Sequence, residues 1–230
     1  MLVIIPFVTV TVFESTVVNV PLAPAVPPTE YDEKTAELAV LFGNTYEILL
    51  LFDDALKEYS QALEIYQKLE NTTQVIETLL LIGKLHRQNN NFEEAQSIYE
   101  RTLNLQQQIH SNEHNSEEIA NTLMYLGNCH SSLGNINSSL NYFHQTLSMY
   151  EATHGTVHED VGGVLVNIGN TLMMCEDSEN ALVYYERALK VYESLDIETN
   201  RINIAETYLA IGIVRLTLKE FQLAEEDFVL

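Results

Sequence analysis

Residues 126–147 read LGNCHSSLGNINSSLNYFHQTL, and their spacing decides the fold. Gly127 stands four residues after Leu123. Ile136 follows nine residues after that glycine, Ser139 twelve after, Phe143 sixteen after, and Thr146-Leu147 nineteen and twenty after. The ladder recurs around four other glycines. From Gly43 it runs Phe52, Ala55, Tyr59, Ala62, Leu63. From Gly83 it runs Phe92, Ala95, Tyr99, Thr102, Leu103. From Gly169 it runs Ser178, Ala181, Tyr185, Ala188, Leu189, and from Gly212 it runs Phe221, Ala224, Phe228. The glycines lie 40, 44, 42 and 43 residues apart. A fixed period in this range marks a stacked array, in which each unit buries its apolar face on its neighbours.

Each unit holds two amphipathic segments. Leu123, Leu126 and His130 fall three and four apart on one helix face. The glycine beside them lets a neighbouring helix come close. The second segment carries Ile136, Ser139, Leu140, Phe143 and Leu147 on one stripe. Small residues at Ala55, Ala95, Ser139, Ala181 and Ala224 mark a close crossing, and an aromatic one turn later fills the adjacent gap. Gln88-Asn89-Asn90-Asn91 and Ser132-Leu133-Gly134-Asn135 break the chain between the two helices. His86 and His130 hold the register position of Tyr46, three after the glycine, and are expected to be half-buried in the core.

This ladder resembles the tetratricopeptide repeat over residues 31–230, in five registers. The unit of about 42 residues is longer than the usual ~34 and resembles the kinesin light chain-type subclass, in which a His-Pro loop precedes the next repeat. Here the loops read Glu113-His114-Asn115 and Val157-His158-Glu159, with the histidine and without the proline. The resemblance implies an all-α, right-handed solenoid of antiparallel helix pairs, a superhelix whose first helices line a concave side and capture a peptide or partner helix. Units are expected at about 35–70, 75–109, 118–151, 161–193 and an incomplete 203–230. The abrupt Phe228-Val229-Leu230 end motivates an alternative, the docking arm of a larger enzyme. The turn Leu49-Leu50-Leu51 carries no breaker, which suggests an imperfect first unit or a cover supplied by the leader.

Residues 1–30 fall outside the ladder. They hold all five prolines, and Glu14 is the sole charge among the Val-, Ile- and Thr-rich first twenty residues. Pro6, Glu14 and the lack of a basic start argue against a secretory signal, although Ala23-Pro24-Ala25 resembles a cleavage site. The uncharged stretch is too short to span a membrane. A mobile or strand-like leader with a Pro-rich linker is expected.

The net charge of −22 disfavours nucleic acid, whose phosphates need clustered Lys and Arg. No Lys or Arg occurs between Arg101 and Arg187, a window with ten acidic residues and six of the seven histidines. An acidic exterior of this kind keeps an array soluble or attracts a basic or neutral protein segment. Two unpatterned cysteines, Cys129 and Cys175, suit a reducing compartment, so a cytoplasmic location is expected.

No phosphate loop, nucleophile elbow or zinc-spaced cysteine set is present, and the expectation is a binding protein without cofactor or catalytic residues. His110 and His114 are four apart, as are His154 and His158, a spacing that on one helix could hold a metal weakly. Asn112, Asn115, Gly155 and Thr156 argue against a continuous helix there, so no metal site is expected. The candidate surface is the position one after each ladder glycine: Asn44, Lys84, Asn128, Asn170 and Ile213. It is expected to face away from the second helix. Asn121, Asn167 and Arg87 lie nearby on the same first helices. An amide offers both donors and an acceptor, and can pair with the N–H and C=O of an extended peptide. The peptide-binding set is therefore Asn44, Lys84, Arg87, Asn121, Asn128, Asn167 and Asn170. Tetratricopeptide arrays that hold a peptide C-terminus join such an Asn with Lys and Arg. The third and fourth first helices have none, which disfavours a carboxylate clamp; Lys84 and Arg87 could hold one acidic group.

Overall fold

The computed structural model describes residues 7–12, 16–21, 32–109 and 117–219. They fall into two compact units, Met1–Val75 and Ile76–Leu230. In the first, strands β1 (Phe7–Val12) and β2 (Thr16–Pro21) pair antiparallel, Val10 opposite Val18. The β-branched Val and Thr of this stretch suit a pleated strand. Every other described element is a helix. The first unit adds α1 (Glu33–Ile48) and α2 (Phe52–Lys68), packed on each other.

Helix α3 (Thr72–Gln88) begins at the unit boundary. The second unit then contains α4 (Phe92–Ile109), α5 (Glu117–Ser132), α6 (Ile136–His154), α7 (Glu159–Met174), α8 (Ser178–Ser194) and α9 (Ile197–Thr217). Consecutive helices from α4 to α9 pack on one another, and α5 also touches α7. The expected second segment of the last unit, with Phe221, Ala224 and Phe228, and the stretch with His110 and His114 lie outside the described residues.

The ladder is a packing device between paired helices. Each of the first four ladder glycines lies under the ring sixteen residues ahead. A Cβ at Gly43, Gly83, Gly127 or Gly169 would stand 2.4–2.6 Å from a ring carbon of Tyr59, Tyr99, Phe143 or Tyr185 respectively. The small residues Ala55, Ala95, Ser139 and Ala181 are fully buried at the crossings. Ser139 is tolerated because its hydroxyl donates to the Gly127 carbonyl at 2.9 Å. In the second unit the core runs from Ala120 and Phe143 through Val164, Leu165, Ile168 and Tyr185 to Ile211 and Val214.

The turn between paired helices has one geometry. The residue seven after each glycine, Leu50, Asn90, Gly134, Glu176 or Lys219, takes a left-handed φ of 58–74°. In the four complete turns the following N–H bonds back to the carbonyl three after the glycine: Leu51 to Tyr46, Asn91 to His86, Asn135 to His130 and Asp177 to Leu172. This 6→1 bond closes the helix end in the Schellman manner. The apolar first turn therefore needs no breaker. Leu50 is 71% exposed, and most of the leader suggested as its cover lies outside the described residues.

The histidine expectation meets this cap. His130 is buried and stacks on Tyr142 with centroids 5.2 Å apart; His86 is half-buried. Burial pushes the His130 pKa down, against an upward pull from Glu100. The folded chain thus binds fewer protons at this site than the unfolded chain. Its contribution should be complete above about pH 6.5, the ordinary histidine value, and be lost as pH falls through the lowered folded value. Thermal melts across that window should show a steeper acid loss in the parent than in His130→Gln. Parallel curves would contradict the assignment.

Candidate functional site

In the second unit the first helices of three successive repeats line a polar cleft of about 530 Å³. Arg87 comes from the end of α3 and Asn90 from the turn after it, Asn128, Ser131 and Ser132 from α5, and Asn167, Asn170 and Thr171 from α7; Phe92 of α4 and Phe143 of α6 complete the lining. The repeat period places these side chains. Asn128 and Asn170 each follow their glycine by one residue, and Arg87 and Ser131 follow theirs by four. The wall carries one guanidinium and no carboxylate.

Two groups of the wall are held ready. The Arg87 Nε is buried without a hydrogen-bond partner among the described residues. The Asn128 side chain, half-buried, likewise has none among them. Ser131 and Thr171 are tied together across α5 and α7, with hydroxyl oxygens 3.2 Å apart, and Thr171 also donates to the Asn167 carbonyl at 2.9 Å. Beneath the wall Cys129 is fully buried, and burial raises its thiol to about 11 against a downward pull from Arg87. It is a protonated core group at neutral pH, not a nucleophile.

Four of the seven expected residues, Arg87, Asn128, Asn167 and Asn170, meet in this cleft. Lys84 is exposed on α3 outside its wall. Asn121 is also outside it, with its Oδ1 accepting from the Tyr150 hydroxyl. Asn44 belongs to the first unit. The expectation that the position after the glycine faces away from the second helix is corrected at two sites. Asn44 Oδ1 accepts from the Tyr59 hydroxyl at 2.8 Å, and Asn170 Oδ1 from Tyr185 at 2.7 Å. The physical reason is the aromatic ring on the glycine, which delivers its hydroxyl to the next residue. Burial raises the Tyr185 hydroxyl to about 12, so it remains a donor. At the third unit Phe143 replaces tyrosine, and Asn128 is left to the cleft. The recurrence of Asn and Tyr fifteen apart, at 44/59 and 170/185, was the signal for this pairing.

A family model described as tetratricopeptide repeat matches residues 34–108, 118–194 and 160–228. No curated protein matches the chain. Among solved structures, BtubC (BKLC) from P. vanneervenii is similar at a TM-score of 0.75 and 20% identity, over 85% of this chain and 77% of that one. A Podosopora anserina kinesin light chain-like protein with nearly identical TPR-like repeats gives 0.71 and 10%, over 85% and 92%. The apo form of RapI gives 0.71 and 17%, over 87% of this chain and 53% of that one. Among the described residues no helix is long and apolar enough to cross a membrane.

Proposed function

The chain belongs to the tetratricopeptide-repeat family, and we propose that it is an interaction scaffold whose cleft between α3, α5 and α7 grips the main chain of a protein segment. Repeats of this family and the repeat proteins it resembles support protein partners in general. The observation that carries the finer reading is the Asn128 amide, without a partner among the described residues, on the same wall as the unbonded Nε of Arg87, whose guanidinium also faces the Tyr99 hydroxyl. An amide can accept a peptide N–H and donate to its carbonyl, while Arg87 can take a second carbonyl or one carboxylate. The wall asks for backbone more than for a particular side chain. With a chain charge of −22, the favoured segment is basic or neutral, drawn in by the acidic exterior. The role is capture, not catalysis, and the two free cysteines suit a cytoplasmic setting.

The test begins with a pull-down on the full chain and mass spectrometry, then titrates the recovered segment. The double variant Asn128→Ala/Arg87→Met should lose about 1–3 kcal/mol of binding, since the buried polar groups of the segment lose their mates. Asn121→Ala, off the cleft, should bind as the parent does. Added salt should slow association. Parent affinity in the double variant would remove the segment from this cleft.

A further inference from the structure

The chain between the third and fourth repeats brings together four groups that the cleft does not use. His154 is the last residue of α6, His158 caps α7, Asp160 lies in the first turn of α7, and Glu117 opens α5. Gly155 ends α6 with a positive φ of 85°, and the chain folds back on itself. The two imidazoles consequently stack, with centroids 4.2 Å apart and planes within 15°. Two histidines that a broken helix should have separated are neighbours because of the break.

Their polar atoms converge. His158 Nδ1 lies 3.2 Å from Asp160 Oδ2. His154 Nε2 lies 4.0 Å from that same oxygen and 3.9 Å from Glu117 Oε2. One donor atom each from His154, His158 and Asp160 falls within a mutual 4.8 Å. His154 Nε2 is buried and has no hydrogen-bond partner among the described residues, a condition that costs free energy unless an ion or water meets it. A proton can join His158 to Asp160 at 3.2 Å, but it cannot also reach His154 and Glu117 across 4 Å. A cation at the centre shared by His154, His158 and Asp160 can meet all three, with Glu117 beside His154.

We propose that His154 Nε2, His158 Nδ1, Asp160 Oδ2 and Glu117 Oε2 form a binding site for a divalent transition metal of the zinc class. Two imidazoles and two carboxylates are a borderline nitrogen and oxygen set that suits zinc or cobalt. Ligands at ~2.0–2.1 Å from a tetrahedral ion stand about 3.3 Å apart, so His158 and Asp160 already have the edge length, His154 closes by roughly 0.7 Å on Asp160, and the exposed Glu117 side chain turns inward to complete the set. His158 gives up its 3.3 Å acceptor contact with the Asp160 N–H, and the stacked rings turn toward the ion. The ligands come from α5, α6, the cap of α7 and α7 itself, so the ion clips the third repeat to the fourth. Four protein ligands make it a structural site, with no open position for chemistry.

Calorimetry on the full, tag-free chain with zinc alone should give one ion per chain, and zinc should raise the melting temperature. Cobalt should give the visible absorption of a tetrahedral ion. His154→Gln and Asp160→Asn, each shown by circular dichroism to be folded without metal, should weaken zinc by at least about tenfold, a loss that even outer-shell partners produce. His110→Gln/His114→Gln should bind as the parent does. A flat zinc titration of the parent, unchanged binding in both ligand variants, or loss of binding in the His110/His114 variant would each overturn the proposal.

Discussion

Tyr185→Ala should destabilise the fourth repeat by about 3–5 kcal/mol, the range for removing a large buried ring. The ring is 2% exposed and lies on the Cα of Gly169, so no side chain stands ready to fill the void. Its hydroxyl also leaves Asn170 Oδ1. Tyr185→Phe separates the two losses. It keeps the ring and recreates the Gly127–Phe143 pairing of the third repeat, and should cost only the hydrogen bond, about 0.5–1.5 kcal/mol. In a repeat array each unit contacts its neighbours alone, and stability is a sum of local and interface contributions. Denaturant unfolding followed by circular dichroism should therefore show a lower or split transition for Tyr185→Ala. Equal losses in the two variants would place the energy in the hydroxyl and contradict the ring-on-glycine account.

The second large effect is steric. Ala181 is fully buried in the core shared by α7 and α8, one turn before Tyr185. Ala181→Leu should overpack this crossing and cost about 1–3 kcal/mol. Ala181→Ser should be milder, because Ser139 occupies the equivalent place and donates to the carbonyl of its glycine. An unchanged melt in the leucine variant would mean that the two helices do not cross at this residue.

The paired helices were legible because two residue types mark them together. A glycine and an aromatic sixteen residues on are rare enough in one register to stand out, and the ring-on-backbone contact explains why both are needed. The turn was not legible. Its left-handed position is filled by Leu50, Asn90, Gly134, Glu176 and Lys219, which share no chemistry. The hydrogen-bonded helix end selects that conformation, and the side chain only tolerates it. The site was half legible. A period of about 42 residues brings Arg87, Asn128, Asn167 and Asn170 to one wall. The ring hydroxyls that claim Asn44 and Asn170 follow from the aromatic stripe, and a reading confined to the first helices misses them. The break in the helix at Gly155 is present as expected. The spacing alone does not show that the positive φ of Gly155 reverses the chain and stacks His154 on His158.

The central claim is that a protein segment lies in the cleft between α3, α5 and α7. A photo-reactive amino acid at Ser132, an exposed cleft residue, tests it most directly. The control position is Val183 on α8, 61% exposed. With the partner recovered by pull-down, illumination should crosslink it from residue 132 and leave residue 183 unreacted. A crosslink from residue 183 with none from residue 132 would contradict the account and move the binding surface to the second helices.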